Sequence, residues 1–161
     1  MTDYRVGVGF DAHAFADGVP LVLGGVRFRS DRGLAGHSDG DVVAHALIDA
    51  LLGAAGLGDI GSLFSSEDPR WEGASSLDLL RRAYDDVLRS GYELANADCV
   101  LIGEEPRIAD VRAEMGSLLA GAIGVDRGRV SVRATTTDRL GFTGRGEGLA
   151  AQAVALLSAS G

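Results

Sequence analysis

Hydrophobic and polar positions alternate from Tyr4 to Phe10, the pattern of a strand. Gly7 and Gly9 thin one face of that strand and invite a backbone or a ligand close to it. Leu21 to Phe28 reads as a second strand interrupted by Gly24-Gly25, and Ser30 to Gly36 as a loop. Val42, Val43, Ala46, Leu47, Ala50, Leu51 and Ala54 then recur at helical spacing. They predict a long helix that begins near Ser38, is capped by Ser38 or Asp39, and stops by Gly56. The segment 57–76 has no period beyond a short helical turn around Ile60 to Phe64. Leu79, Leu80, Ala83, Val87 and Leu88 mark a helix from Leu77 to Ser90, with Ser75 or Ser76 as cap and Gly91 as stop. A strand over Leu94–Ile102 follows, then a loop over Gly103–Arg107 and a helix over Ile108–Ile123. A strand over Val130–Thr136 leads through a glycine-rich turn to a last helix over Leu149–Ser158. The order β-β-α-α-β-α-β-α describes one α/β or α+β domain over residues 1–161, a sheet against helices.

Length and charge narrow the function. A chain of 161 residues makes one domain with a real core. Its net charge is −8 and no basic run breaks it, which argues against nucleic acid and anionic membrane as partners. A phosphorylated small molecule stays open, since a metal or a helix N-terminus supplies positive potential locally. The single cysteine, Cys99, allows neither an internal disulfide nor a thiolate metal cluster and reads as a buried, unreactive thiol. No window approaches the ~18 apolar residues of a spanning helix. The N-terminus lacks a signal-peptide pattern, so a cytoplasmic protein is expected.

Candidate chemistry gathers at the start of the long helix. His37, Asp41 and His45 recur every four residues, so a helix begun near Ser38 stacks them towards one side. A polar cluster there is costly unless it binds something. Asp11 and His13 share one face at the end of the first strand. With His45 they make either an Asp/His/His set whose fourth position is open, suited to zinc or a similar ion, or satisfied structural side chains. Asp39, Asp41 and Asp49 read equally as solvated acids, caps or partners that orient imidazoles. Asp59 and Asp68 are loop acids or ligands. Ala134 to Asp138, at a strand-to-loop junction, has the hydroxyls and N–H groups to bind phosphate, or simply threonines that suit a strand. Gly141, Gly144, Gly146 and Gly148 fit neither a dinucleotide nor a Walker loop. Arg145 and Glu147 are an ion pair or an interface contact.

Three motifs carry a family resemblance: GFDAHAF at Gly9–Phe15, GHSDGDVVAHALIDALLGAAGLGDIG at Gly36–Gly61, and VRATTTDRLGFTGRGEGLAAQAVALL at Val132–Leu157. In this order, over nearly the whole chain, they resemble the 2-C-methyl-D-erythritol 2,4-cyclodiphosphate synthases. The resemblance implies an α+β sandwich with a four-stranded sheet, helices on one face, and three sheets packed around a threefold axis in a homotrimer. It implies active sites between neighbouring subunits, and conversion of 4-diphosphocytidyl-2-C-methyl-D-erythritol 2-phosphate to the cyclic diphosphate and CMP in the non-mevalonate isoprenoid route. By the match, Asp11, His13 and His45 hold one transition metal per subunit, zinc or else manganese or cobalt. Magnesium or manganese accompanies the substrate diphosphate. His37 and Thr136 fall where the family stabilises the transition state. Ser38, Asp59, Ile60, Gly61 and the loop Phe64, Ser65, Ser66, Glu67, Asp68 fall at the methylerythritol phosphate. Gly103, Glu104, Glu105, Pro106, Arg107, Ala134, Thr135, Thr137 and Asp138 fall at the cytidine diphosphate pocket. Phe142, Arg145 and Glu147 fall near the threefold axis, where family members can bind an isoprenoid diphosphate.

Some positions depart from the family. Ala12 stands where valine is usual. The loop reads FSSED rather than FPDTD, so Ser66 replaces an acid whose contact Glu67 or Asp68 would have to supply. Arg107 and Arg133 stand for lysines, keeping charge but not geometry. Two rival readings remain: a metal-dependent phosphoester hydrolase using the same triad on water, and a non-catalytic trimer that senses isoprenoid diphosphates.

Overall fold

The computed structural model describes residues 1–161. Seven strands and five helices follow in the order β1 (Tyr4–Asp17), β2 (Leu21–Leu23), β3 (Val26–Phe28), β4 (Arg32–Leu34), α1 (Val42–Ala55), α2 (Ile60–Leu63), α3 (Ser76–Arg89), β5 (Tyr92–Ile102), α4 (Arg112–Ile123), β6 (Val130–Thr135), α5 (Gly141–Gly144) and β7 (Gly148–Ala159). The main sheet has the order β4-β1-β7-β5-β6. Only β5 and β6 run parallel, and α4 is the crossover that joins them. β2 and β3 form a separate hairpin, which resolves the interrupted second strand. Its turn is Gly24-Gly25, both at positive φ (57° and 80°), the backbone a two-residue hairpin demands.

Two expectations about the sheet are corrected. It has five strands rather than four, because Arg32–Leu34 pairs with the end of β1. The stretch expected as the last helix is β7, a central strand between β1 and β5. Alanine and leucine favour helices in isolation, but two flanking strands override that preference. Alternation is present there: Ala151, Ala153, Ala155 and Leu157 are buried under the helices, while Gln152 and Val154 face away.

The long helix also starts later than expected. Its cap is Asp41, and helical residues begin at Val42. Asp41 is fully buried. Its carboxylate accepts N–H bonds from Ala44 (3.1 Å), Gly24 (2.8 Å) and Gly25 (2.8 Å), tying the helix to the hairpin turn. Burial pushes its carboxyl up to about 6 against those three bonds.

The packing of α1 onto β1 places the site. Every residue of α1 but Asp49, Gly53 and Ala55 is buried, because the sheet covers one side and α3 the other. A Cβ on Gly9 would overlap the Ala46 carbonyl oxygen, and one on Gly7 the Ala50 carbonyl oxygen. The two glycines thus let the helix backbone rest on the strand, opposite Ala46, Ala50 and Ala54. Helices cover one face of the sheet only. On the other face Tyr4, Val6, Val8 and Phe10 of β1 are 57–71% exposed.

Candidate metal centre

Close approach of α1 to β1 brings His45, in the first turn of the helix, over Asp11 and His13 on the strand. Asp11 Oδ2 lies 2.8 Å from His13 Nε2 and 3.1 Å from His45 Nδ1. The two ring nitrogens are 3.3 Å apart. The three donor atoms lie within 4.8 Å of one another. Two imidazole nitrogens converging on one carboxylate oxygen match a cation better than a hydrogen-bond network, since at most two of the three contacts can carry a hydrogen. Two nitrogens and one oxygen suit zinc, with room for a fourth ligand.

Local electrostatics agree with a cation site. Burial would raise the Asp11 carboxyl, but hydrogen bonds from His13 and His45 outweigh it and hold it at about 2. The same bond from Asp11 raises His13 above the ordinary imidazole value, against burial. Asp11 is therefore a permanent anion at the mouth of a cavity of about 220 Å³. Asp11, His13, His37, Ser38, His45, Ile60, Gly61, Phe64 and Ser66 line that cavity together with Trp71 and Leu79.

His37 enters the cavity from the loop before α1 rather than from the helix, and its Nε2 lies 3.0 Å from the Asp68 carbonyl oxygen, to which it donates. Asp41, expected beside the two histidines, points the other way into the hairpin. The remaining residues assigned to the methylerythritol phosphate stand outside the cavity lining. Asp59 caps α2 through Ser62, and Ser65 accepts the Glu67 N–H (3.2 Å). Asp68 is paired with Arg70 at 2.7 Å, so its carboxylate is committed elsewhere.

A second group gathers where β5 and β6 end, at the same end of the sheet as Asp11 and His13 but across β7 from them. Gly103, Glu104, Pro106, Arg107, Ala134, Thr135 and Thr136 line one cavity of about 320 Å³. Glu104, Glu105, Arg107, Thr136, Asp138 and Arg145 share a wider one of about 700 Å³ with Arg32 and Arg139. Thr136 therefore does not share a cavity with His37 within one chain. Thr137 is held by its own bonds, to the Leu140 carbonyl (2.7 Å) and the Thr143 hydroxyl (3.0 Å). Phe142 stays partly exposed, and Arg145 pairs with Glu147 at 2.9 Å.

Sequence reasoning passed over Trp71 and read Leu79 as core and Ser76 as a cap, with no part in the site. Trp71 packs edge-to-face on Phe64 with ring centres 5.1 Å apart, between the guanidinium groups of Arg70 and Arg82. Its being the only tryptophan, in an aperiodic loop, was the one signal available. Cys99 is buried as expected, its thiol pushed up to about 12 by burial.

A mixed sheet with helices on one face and an aspartate and two histidines converging beside it define an α+β protein with a candidate metal site. The chain belongs to the YgbB family, whose model matches residues 4–158. A relative from Rubrobacter xylanophilus, named 2-C-methyl-D-erythritol 2,4-cyclodiphosphate synthase, is 59% identical over 160 residues, covering 98% of this chain and 96% of its own. One of the same name from Moorella thermoacetica is 56% identical over 153 residues, covering 95% of this chain and 94% of its own. Among solved structures, the bifunctional IspDF of Campylobacter jejuni superposes with a TM-score of 0.95 at 44% identity. It covers 99% of this chain, which spans 43% of that longer one. The CDP complex of Plasmodium falciparum IspF has a TM-score of 0.85 at 30% identity, covering 98% of this chain and 97% of its own.

Proposed function

We propose that the protein cyclises 4-diphosphocytidyl-2-C-methyl-D-erythritol 2-phosphate to 2-C-methyl-D-erythritol 2,4-cyclodiphosphate and CMP. The observation that carries this is the convergence of Asp11, His13 and His45 in a cavity that they line together with His37 and Ser38. The substrate's 2-phosphate has a second pKa of about 6 and is mostly a dianion at neutral pH. Its oxygen forms a bond to the β-phosphorus, the bond from that phosphorus to the bridging oxygen breaks, and CMP leaves with the electron pair. No protein base is needed. What the protein must supply is alignment of two anions and stabilisation of the charge that moves to the leaving group.

Asp11, His13 and His45 would hold a divalent metal, zinc or else manganese or cobalt, which supplies Lewis-acid neutralisation of phosphate charge; magnesium or manganese accompanies the diphosphate. His37 and the Thr136 hydroxyl are donors to the transferring group. Ser38, Ile60, Gly61, Phe64 and Ser66 wall the methylerythritol phosphate from water, and the contact of the missing acid falls to Glu67 or Asp68, of which Asp68 is already paired with Arg70. Gly103 to Arg107 with Ala134, Thr135 and Asp138 receive the cytidine diphosphate. The names of the solved CDP complexes support that ligand.

This reading calls for an assembly of copies of the chain, and the resemblance makes it a homotrimer. His37 and Thr136 occupy separate cavities in one chain and can serve one substrate only if a neighbour brings its Thr136 to this metal. The bare apolar row Val6, Val8, Phe10 gives the surface for packing sheets about a threefold axis. Arg145, paired with Glu147, lines the wide arginine-rich cavity and Phe142 is exposed nearby in sequence, in keeping with an isoprenoid diphosphate near the axis.

Incubation with the cytidyl substrate and divalent metal, followed by phosphorus NMR, tests the function. Cyclic diphosphate plus CMP is expected. An open-chain phosphate product instead would make the protein a hydrolase, and substrate left unchanged would remove the catalytic reading.

A further inference from the structure

His45 meets the metal cluster through Nδ1, and its other ring nitrogen turns into the protein. There Nε2 lies 2.8 Å from Ser76 Oγ and 2.9 Å from Ser38 Oγ. Ser76 is the first residue of α3 and is fully buried. Its hydroxyl donates to Asp39 Oδ1, and its backbone N–H donates to Asp39 Oδ2 at 3.0 Å. Asp39 also accepts the Asp41 N–H at 3.1 Å. Its carboxylate is thus fixed from three sides at the positive end of a helix.

The hydrogen count decides what this chain does. A carboxylate only accepts, so the one hydrogen of the Ser76 hydroxyl is committed to Asp39. Ser76 then offers His45 a lone pair, and a ring nitrogen facing it must carry the hydrogen. Ser38 has a free choice of donor or acceptor and cannot set this alone. With one hydrogen fixed at Nε2, His45 can donate from Nδ1 to Asp11 only as a cationic ring; as a neutral ring it has its free lone pair at Nδ1, aimed at the point it shares with Asp11 and His13.

We propose that Asp39 and Ser76 are positioning residues of the metal centre: the relay Asp39–Ser76–His45 fixes the tautomer and ring plane that present Nδ1 to the ion. The inference rests on the metal-centre reading above. It gives the buried serine at the start of α3 a task that capping leaves undone, since Ser75, the cap position, makes no side-chain bond. Outer hydrogen-bond partners of this kind change metal affinity by roughly 10- to 100-fold when removed.

The test is a zinc titration against a chromophoric chelator, using wild-type protein, Ser76→Ala and Asp39→Asn, with folding checked by circular dichroism and melting. Wild type is expected to bind one zinc per chain, and each variant to bind it about 10-fold or more weakly while folded. A proton-nitrogen spectrum of zinc-loaded wild type should show a slowly exchanging Nε2–H on His45, lost or exchange-broadened in Ser76→Ala. Should Ser76→Ala fail to fold, Asp39→Asn, close in size, carries the comparison. Zinc affinity within twofold of wild type in either folded variant, or a zinc-loaded His45 with no protected Nε2–H, overturns the relay. A wild-type chain that binds no zinc overturns the metal centre itself, a distinguishable failure.

Discussion

At the scale of single residues, two aspartates near the site do opposite work. Asp11 is held at about 2 by its imidazole partners. A carboxyl whose folded value lies below its unfolded value adds stability above the unfolded value, near 3.8, and loses it as pH falls through the folded one. For metal-free protein this is on the order of 2 kcal/mol, present at pH 5 and gone below about pH 2. Denaturant melts of wild type and Asp11→Asn over that range check it: the gap between them should close on acidification, and a constant gap would refute it. Asp41 is structural. Asp41→Ala removes a helix cap and orphans the buried N–H of Gly24 and the partly buried N–H of Gly25. A cap contributes about 1 kcal/mol and each orphaned group ~1–3, so the expected loss is about 3 kcal/mol or more by urea denaturation. A loss under ~1 kcal/mol would mean that the hairpin is not tied to the helix through this carboxylate.

At the scale of elements, the glycines of β1 set the distance between strand and helix, and so between Asp11 and His45. Gly9→Ala must push α1 away, because the new Cβ meets the Ala46 carbonyl rather than a movable side chain. A destabilisation of about 3 kcal/mol follows from forced overpacking, or a fall of roughly 6–12 °C in melting temperature for a chain of this size. Gly53→Ala, on the exposed side of the same helix with nothing closer than 3.9 Å, should instead stabilise by about 0.5–1 kcal/mol. Equal effects at the two glycines would refute the packing argument. This contrast also shows what was legible in the chain. Gly7 and Gly9 announced a close approach from spacing alone, and the helix periods of α1 and α3 were plain. β7 was not, because Ala and Leu carry a helical preference that only two neighbouring strands could overrule. The start of α1 misled because His37, Asp41 and His45 fit a helical period by coincidence of a loop that folds back. Asp11, His13 and His45 were readable because ligand chemistry narrows the residue types. Ser76 was not, since a buried serine at a helix start looks like any cap.

At the scale of the whole molecule, one chain holds its two groups of candidate residues in separate cavities. The metal cavity with His37 lies by β1 and α1, and Thr136 lies beyond the end of β6, in other cavities. If each active site joins one half from each of two neighbours, the interface is head-to-tail and closes as a ring. Subunit mixing tests this without any assumption about rates. His45→Ala damages only the metal half, and Thr136→Ala only the other half, so either variant alone should be nearly inactive. When equal amounts are unfolded together and reassembled, a site is intact where a Thr136→Ala chain supplies the metal half and a His45→Ala chain supplies the threonine. Random assortment makes that about one quarter of all sites, so about a quarter of wild-type activity should return. Adding Val8→Asp to both variants places a charge on the apolar row and should abolish both the recovery and the trimer that sedimentation is expected to show without it. Mixed chains that stay inactive while assembling normally would place both halves of the site in a single subunit, against the separation of the cavities.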